Sequence, residues 1–432
     1  MKEEFLYYIW EQKMFVSMPQ VTTDGRNVEV IDVGKRNRVS GPDFFNAKVR
    51  IGDTVWVGNV EMHCKASDWY KHEHQDDPAY ENVILHVVIE NDMNVTRLNG
   101  EPLTQMILQW PEWLNDNYKA LYQAKPPIHC QKKVGRIPEI FITDWKNRLV
   151  IERWHQKYDT IEQMLRQNAH NWEETFYWIM ARNFGFHTNS LPFEWTARSL
   201  PLIYIAKHKN NLMQIEAMLF GQAGLLPETA PDDYTEKLIR EYSFLRNKFS
   251  LTPIKQGVWK KGGVRPSNSP YVRIAQFAAL LHESSKLFSK ILEIEKMDDF
   301  YALFQVQASD YWKKHTQFGI EGKERAKTLG KSSINTILIN TVFPTLFVYG
   351  RSREDEAITE RALNFLQKLP AENNTIIHQW EEAGIKCQNA FDTQALLQLW
   401  HCYCSDRKCL RCRIGHQLLT RKQKEDEQEQ MA

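Results

Sequence analysis

The chain carries almost no net charge: its 432 residues hold 55 Lys and Arg against 54 Asp and Glu, a formal balance of +1 at neutral pH. A general basic field of the kind that gathers nucleic acid is therefore absent, and any such contact has to rest on a local patch. No apolar run reaches the roughly 18 residues of a membrane span. The opening MKEEFLYYIWEQK is too acidic, and too short in apolar core, to read as a secretory signal. The expectation is a cytoplasmic protein without a membrane partner. The seven cysteines are an odd number, with Cys64 and Cys130 isolated, Cys387 further on, and Cys402, Cys404, Cys409 and Cys412 crowded together. A secreted disulfide framework spreads its cysteines through a small chain, so a tight cluster in a large one favours metal. No strict repeat period emerges, which argues against a helical solenoid. The segments TLGKSSINT and RNKFS lack the full GxxxxGK[ST] spacing, which leaves nucleotide hydrolysis unsupported.

The patterning that is present predicts an α+β protein. EEFLYYIWEQKMF reads as an amphipathic helix, and VEVIDVG, DFFNAKVRIGD, TVWVGNVEMHC, NVILHVVIEN and LTQMILQW read as strands between Gly, Asn and Asp turn signals. ASDWYKHEHQDDPAY, between the third and fourth of these, has no strand pattern and is expected as a short helix or ordered loop. After Pro126-Pro127, long helical periodicities take over, beginning with Trp145, Leu149, Trp154, Tyr158, Ile161 and Leu165. The expected organisation is an α/β domain over 1–125, a helical domain over 126–385, a Cys-rich metal-binding segment over 386–420 and a charged tail over 421–432.

The densest chemistry lies in GNVEMHCKASDW, residues 58–69. Side chains alternate along a strand, so Glu61, His63 and Lys65 are expected on one face. Seventeen residues upstream of this run, GPDF supplies Pro42-Asp43. The order helix, three strands, helical segment, strand, together with these residues, resembles the PD-(D/E)xK nuclease-like fold, with histidine where that motif carries lysine. The resemblance implies Asp43 and Glu61 as ligands of Mg²⁺ or Mn²⁺, and phosphodiester hydrolysis as the reaction. His63 would be base or ligand, and Lys65 would stabilise phosphate charge. Glu4 or Glu11 on the first helix could add a carboxylate. His72, His74 and His86 crowd the same region, so a site of histidines and carboxylates holding Zn²⁺ or Mn²⁺ is the alternative.

The strings GPDFFNAKVRIGDTVWVGNVEMHCKASDWYKHEHQDDPAYENVILHVV, RPSNSPYVRIAQFA and YCSDRKCLRCRIG are similar to an uncharacterised bacterial family, the domain of unknown function numbered 2851. That resemblance spans nearly the whole chain and implies no activity.

Two further segments stand out. In HCYCSDRKCLRCRIGH, Cys404, Cys409 and Cys412 have the spacing of metal ligands, with Cys402, Cys387 or His416 as the fourth. A structural Zn²⁺ is expected there, with an iron–sulfur cluster as the competitor. KQGVWKKGGVRPSNSPYVR gathers Lys260, Lys261, Arg265 and Arg273 around Trp259, a composition suited to phosphate contact and base stacking. A solvated loop has the same composition. The sequence thus predicts a metal-dependent phosphodiesterase acting on nucleic acid. The alternatives are a non-catalytic interaction protein and a zinc-dependent hydrolase of a small substrate.

Overall fold

The computed structural model describes residues 2–125, 127–263, 268–284 and 286–421. They fall into two compact units. One comprises the described residues of 1–145, 379–385 and 399–432; the other comprises those of 146–378 and 386–398. The first is mixed α/β and the second is helical.

The first unit opens with α1 (Glu3–Glu11), in which Phe5, Leu6, Ile9 and Trp10 recur on one face and are fully buried. Glu3 and Glu4 occupy its first turn, where carboxylates favour the positive end of the helix dipole. The sheet follows: β1 (Gln20–Val21), β2 (Asn27–Asp32), β3 (Lys35–Arg36), β4 (Phe44–Ile51) and β5 (Thr54–Lys65), then α2 (Asp68–Lys71), β6 (Val83–Glu90) and β7 (Gln105–Ile107). The spatial order is β1-β2-β4-β5-β6-β7, with β3 paired to β4. β2, β4 and β5 form an antiparallel meander, whereas β5, β6 and β7 run parallel.

A parallel pair needs a crossover, because a tight turn cannot reverse the chain twice. Residues 66–82 make that crossover through α2 and two short 3₁₀ turns, His74–Asp76 and Pro78–Tyr80. This brings the segment without a strand pattern back over one face of β5. The opposite face is covered by α1 and α3 (Glu112–Gln123), whose Leu114, Tyr118 and Leu121 join Phe5, Ile9, Trp10, Val60, Met62, Leu85 and Val87 in one core. On the crossover side, Trp69, Tyr80, Val83, Val88, Val95 and Leu103 form a second, smaller core. With both faces covered, residues 58–63 of β5 are buried without interruption, as expected for a central strand with parallel pairing.

A bulge in β4 sets the entry to the site. The β4–β5 register shifts between Phe44 and Ala47, and Asn46 adopts a left-handed φ of 56°. Opposite it, Gly34 has a φ of +81°, and a Cβ there would lie 2.5 Å from the Phe45 carbonyl, so only glycine fits. The consequence is that Phe44 pairs with Val60, which sets Asp43 beside Glu61.

The C-terminal segment does not form the separate module expected over 386–420. Its last helix, Arg413–Thr420, contributes Leu419 to the first unit's core, and Asn117 of α3 donates to the carbonyls of Leu419 at 3.1 Å and Arg421 at 3.0 Å. Of the tail expected over 421–432, all but Arg421 lies outside the described residues.

In the helical unit, Trp172–Phe184, Leu212–Gln222 and Pro270–Glu283 are buried around most of their circumference. The run Lys331–Ser352 is long and apolar enough to cross a membrane by length and composition, although polar residues interrupt it in sequence; most of its apolar stretch is buried within the fold.

Candidate metal centre

Glu61 and His63 project from β5 toward the crossover, and His72 and His74 descend from the crossover to meet them. The His74 Nε2 lies 3.2 Å from Glu61 Oε1, the His63 Nε2 lies 3.5 Å from the same oxygen, and the His63 Nε2 lies 3.1 Å from His72 Nδ1. One nitrogen from each of His63, His72 and His74 falls within 4.8 Å of the others. A tetrahedral shell with metal–nitrogen and metal–oxygen bonds of ~2.0–2.1 Å has edges of about 3.3 Å. The three measured separations bracket that edge, but they join Glu61 to His63 and His74 and not to His72, so the mutually close group is the histidine trio, with Glu61 beside two of its members. His63 and Glu61 are 2% and 4% exposed, whereas His72 faces solvent, so the cluster is closed beneath and open at one corner.

His86, which the register sets directly across from Glu61 on β6, stands behind the cluster with its Nε2 2.9 Å from His63 Nδ1. In the tautomer whose Nδ1–H is donated to His86, His63 presents a bare Nε2 toward His72, His74 and Glu61. An outer acceptor that fixes the tautomer of a ligating imidazole is the usual support of such a site. Tyr80 stacks on His74 at a centroid distance of 3.9 Å, and Trp69 packs edge-on to His74 and at a tilt to His86, which locks the rings in place.

Asp43 completes the carboxylate pair without touching the imidazoles. Its backbone N–H donates to Glu61 Oε2 at 3.0 Å, and its own Oδ2 accepts from the Met62 N–H at 3.0 Å. The Tyr7 hydroxyl of α1 lies close enough to the Asp43 carboxylate for each to shift the other's proton affinity. Burial, and then the nearby Glu61 charge, raise Asp43 to about 7, and burial raises Glu61 to about 8. Burial, followed by the neighbouring imidazoles, holds His63 down to about 2 and His86 to about 3, and burial also lowers His74. Tyr7 and Tyr80 are pushed up by burial and by the same carboxylates. The pocket therefore disfavours charged carboxylates and keeps the imidazoles neutral; a divalent cation would relieve the first penalty and takes imidazole in the neutral form that burial already favours. The donor set fits a borderline metal such as Zn²⁺ or Mn²⁺ better than Mg²⁺, which takes oxygen ligands.

Several expected participants lie elsewhere. Lys65 shares the pleat of Glu61 and His63 but stands at the uncovered end of β5, 53% exposed, with its Nζ 3.1 Å from Glu90. It supplies no charge to the cluster. Glu11 faces Arg36 at 3.7 Å and Glu4 is exposed. The carboxylate of α1 that reaches the site is Glu3, which accepts from the Tyr7 hydroxyl at 3.5 Å. Tyr7 and Glu3 were not legible as site residues, since nothing in the spacing of α1 reports what its half-buried edge will meet.

The basic segment is also rearranged. Arg273 lies inside the helix Pro270–Glu283, 5% exposed, donating to Gln276 at 2.9 Å, Asn268 at 2.7 Å and Ser333 at 3.0 Å, with its guanidinium 3.9 Å above the Phe186 ring. It binds the protein's own groups and cannot contact phosphate. Trp259 is buried, with its indole N–H donated to the Ala223 carbonyl at 2.8 Å, so it offers no face to a base. Lys260 and Lys261 remain at the surface, and Arg265 lies outside the described residues. Arg273→Ala is expected to destabilise the helical unit by about 2–3 kcal/mol, because three acceptors lose a charged donor. Denaturant unfolding checks this, and the same variant is expected to leave any nucleic-acid affinity unchanged.

A family model described as "Protein of unknown function (DUF2851)" matches residues 3–375. The chain belongs to this family. The matched span of this DUF2851 chain contains the whole histidine–carboxylate cluster and Cys130, and ends before Cys402. No curated protein and no solved structure matches the chain.

Proposed function

We propose that the chain is a transition-metal-dependent hydrolase of phosphodiesters, with nucleic acid as its substrate class. The observation that carries this reading is the contact of one buried carboxylate, Glu61, with two imidazoles, one of which meets a third. In this reading Glu61, His63, His72 and His74 hold the metal, and the solvent-facing side at His72 admits substrate. Bound there, the ion would polarise a phosphoryl oxygen and lower the pKa of a water. Asp43, held near neutrality by its surroundings, has the proton affinity of a general base at physiological pH. Tyr7 keeps its proton beside the Asp43 carboxylate, which the Met62 N–H orients. His86 holds the His63 ring, and Lys65 has no part.

The phosphodiester class is favoured over other substrates by two features together. The elements follow the order α1, the antiparallel β2-β4-β5 meander, α2, then β6 parallel to β5, which is the order the PD-(D/E)xK resemblance implies. Asp43, just before β4, and Glu61, on the adjoining β5, also stand at the positions that motif assigns to metal ligands. The departure is in the third position, where histidine brings softer donors. A zinc hydrolase acting on a small phosphoester uses the same donors and differs only in substrate. Lys260 and Lys261 are the members of the basic segment still offered to nucleic acid.

The test is turnover of bis(p-nitrophenyl) phosphate and of single- and double-stranded DNA and RNA by chelator-stripped protein. Mn²⁺ or Zn²⁺ is expected to restore hydrolysis, and Mg²⁺ to restore distinctly less. Activity with Mg²⁺ alone would argue against imidazole ligation.

A further inference from the structure

The first unit holds a second cluster that plays no part in that chemistry. Cys130, which follows α3, and Cys404, Cys409 and Cys412 line one small cavity together with Trp380 and Tyr403. All four are free thiols. We propose that Cys130, Cys404, Cys409 and Cys412 are the four thiolate ligands of an iron–sulfur cluster that pins the C-terminal segment to the sheet unit.

Three observations carry this. The first is membership: Cys130, isolated in sequence, lines the same cavity as the three clustered cysteines, whereas Cys402 and His416 do not line it. His416 instead faces away, its Nδ1 2.8 Å from the Tyr8 hydroxyl of α1. This replaces the fourth ligand expected from sequence. The second is width. Around a single zinc ion, sulfurs at ~2.3 Å from the metal lie about 3.8 Å from one another. Among the described residues the set of three or more His, Cys, Asp or Glu ligand atoms all within 4.8 Å of one another is the histidine trio, so no three of these four sulfurs are packed that tightly. A cluster of several irons, each bound by its own thiolate or pair of thiolates, holds its cysteines further apart than one ion does. The third is spacing. Cys404, Cys409 and Cys412 read Cys-x₄-Cys-x₂-Cys with a distant fourth cysteine, one of the arrangements in which proteins bind iron–sulfur centres.

Burial raises all four thiols, and neighbouring sulfurs add to this at Cys130, Cys404 and Cys409, so bound iron would be what favours their ionised forms. At Cys412 the nearby backbone N–H groups of Gly415 and Ile414, in the first turn of the last helix, act the other way and favour the thiolate. A Cβ on Gly415 would lie 2.0 Å from the Cys409 carbonyl, so glycine is what lets the helix start close over the site. The clamp has a mechanical consequence. Cys409, Leu410 and Leu418 pack on the core that contains α1 and α3, and the Tyr122 hydroxyl of α3 donates to the Arg407 carbonyl at 3.2 Å. A cluster at this point ties a distant stretch of chain to the helix that carries Tyr7 and Tyr8.

The experiment is full-length protein purified without oxygen, and reconstituted anaerobically with ferrous iron and sulfide if it is isolated colourless. With ferric iron included in the reconstitution to supply the oxidised irons of the cluster, the expected result is broad visible charge-transfer absorption, with iron and acid-labile sulfide in equal amounts. Cys130→Ser is expected to lose most of the colour and iron, and Cys402→Ser to keep both. Backbone hydrogen exchange across 405–421 should rise on Cys130→Ser and on bleaching the wild-type cluster. Wild-type protein that carries zinc and takes up no iron and sulfide overturns the proposal, as does Cys130→Ser with full iron content. The wild-type measurement stands whether or not the variant folds.

Discussion

Glu61→Gln is expected to abolish metal uptake at the histidine site and to lower phosphodiester hydrolysis by about 10³-fold, within the range of lost general acid–base and metal assistance. The isosteric amide keeps the volume of the side chain and can still accept from the Asp43 N–H, so folding should survive. What it loses is the negative charge that faces His63 at 3.5 Å and His74 at 3.2 Å. Metal content by elemental analysis and turnover of bis(p-nitrophenyl) phosphate check the two effects separately. A variant that still binds metal but is inactive would move Glu61 from ligand to proton-transfer group. One that is fully active with full metal would remove the site from the account.

The second large effect is on stability against pH, and it changes with metal. Asp43 and Glu61 have folded-state values near 7 and 8, above their ordinary 3.8 and 4.5. A carboxylate raised in this way contributes stability that is complete below about pH 4 and lost as the pH rises through the folded values. His63 and His86 are held at about 2 and 3, below the ordinary 6.5. Their contribution is complete above 6.5 and lost as the pH falls toward 3 and then 2. Metal-free protein should therefore be most stable in mildly acidic solution and lose a few kcal/mol between about pH 6 and pH 8.5, since a tenfold change in proton affinity is worth ~1.4 kcal/mol before solvent screening. Saturating Mn²⁺ should offset the loss, because a cation favours the ionised carboxylates. The gain in melting temperature on adding Mn²⁺ is thus expected to be about 5–10 °C larger at the higher pH. Thermal unfolding at the two pH values, with and without Mn²⁺, measures it. A gain that is equal at both, or larger at the lower pH, contradicts the proposed ligands.

The sheet was legible because β2, β4 and β5 alternate or run apolar between turn residues, and because β6 is too apolar to be anything but interior. Glu61 and His63 were legible for the same reason: polar groups inside a run otherwise fit for burial need a partner. Their partners were harder. His72 and His74 sit in a segment without periodicity, and it is the parallel crossover, a property of topology, that brings them onto β5. Lys65 shows the opposite failure, since the pleat places it on the correct side while the end of the sheet leaves it in water.

The remaining misplacements have local causes. Arg273 looks like a phosphate contact when read with the lysines before it, but Pro270 starts a helix that carries it inward to Asn268, Gln276 and Ser333. Cys130 offered no signal in sequence, as a lone cysteine far from the cluster it joins. Only the packing of the C-terminal helix against α3 puts the two together. The α+β class was readable from pattern, whereas the membership of the C-terminal segment in the first unit depends on contacts between residues distant in the chain.

The central claim is that Glu61, His63, His72 and His74 share one metal ion. The most direct test is a crystal of the protein soaked in Mn²⁺ or Zn²⁺, with diffraction data collected on either side of the metal's absorption edge. The account predicts an anomalous peak ~2.0–2.2 Å from His63 Nε2, His72 Nδ1, His74 Nε2 and Glu61 Oε1. An active, metal-dependent enzyme whose anomalous peak lies away from these four atoms would contradict it.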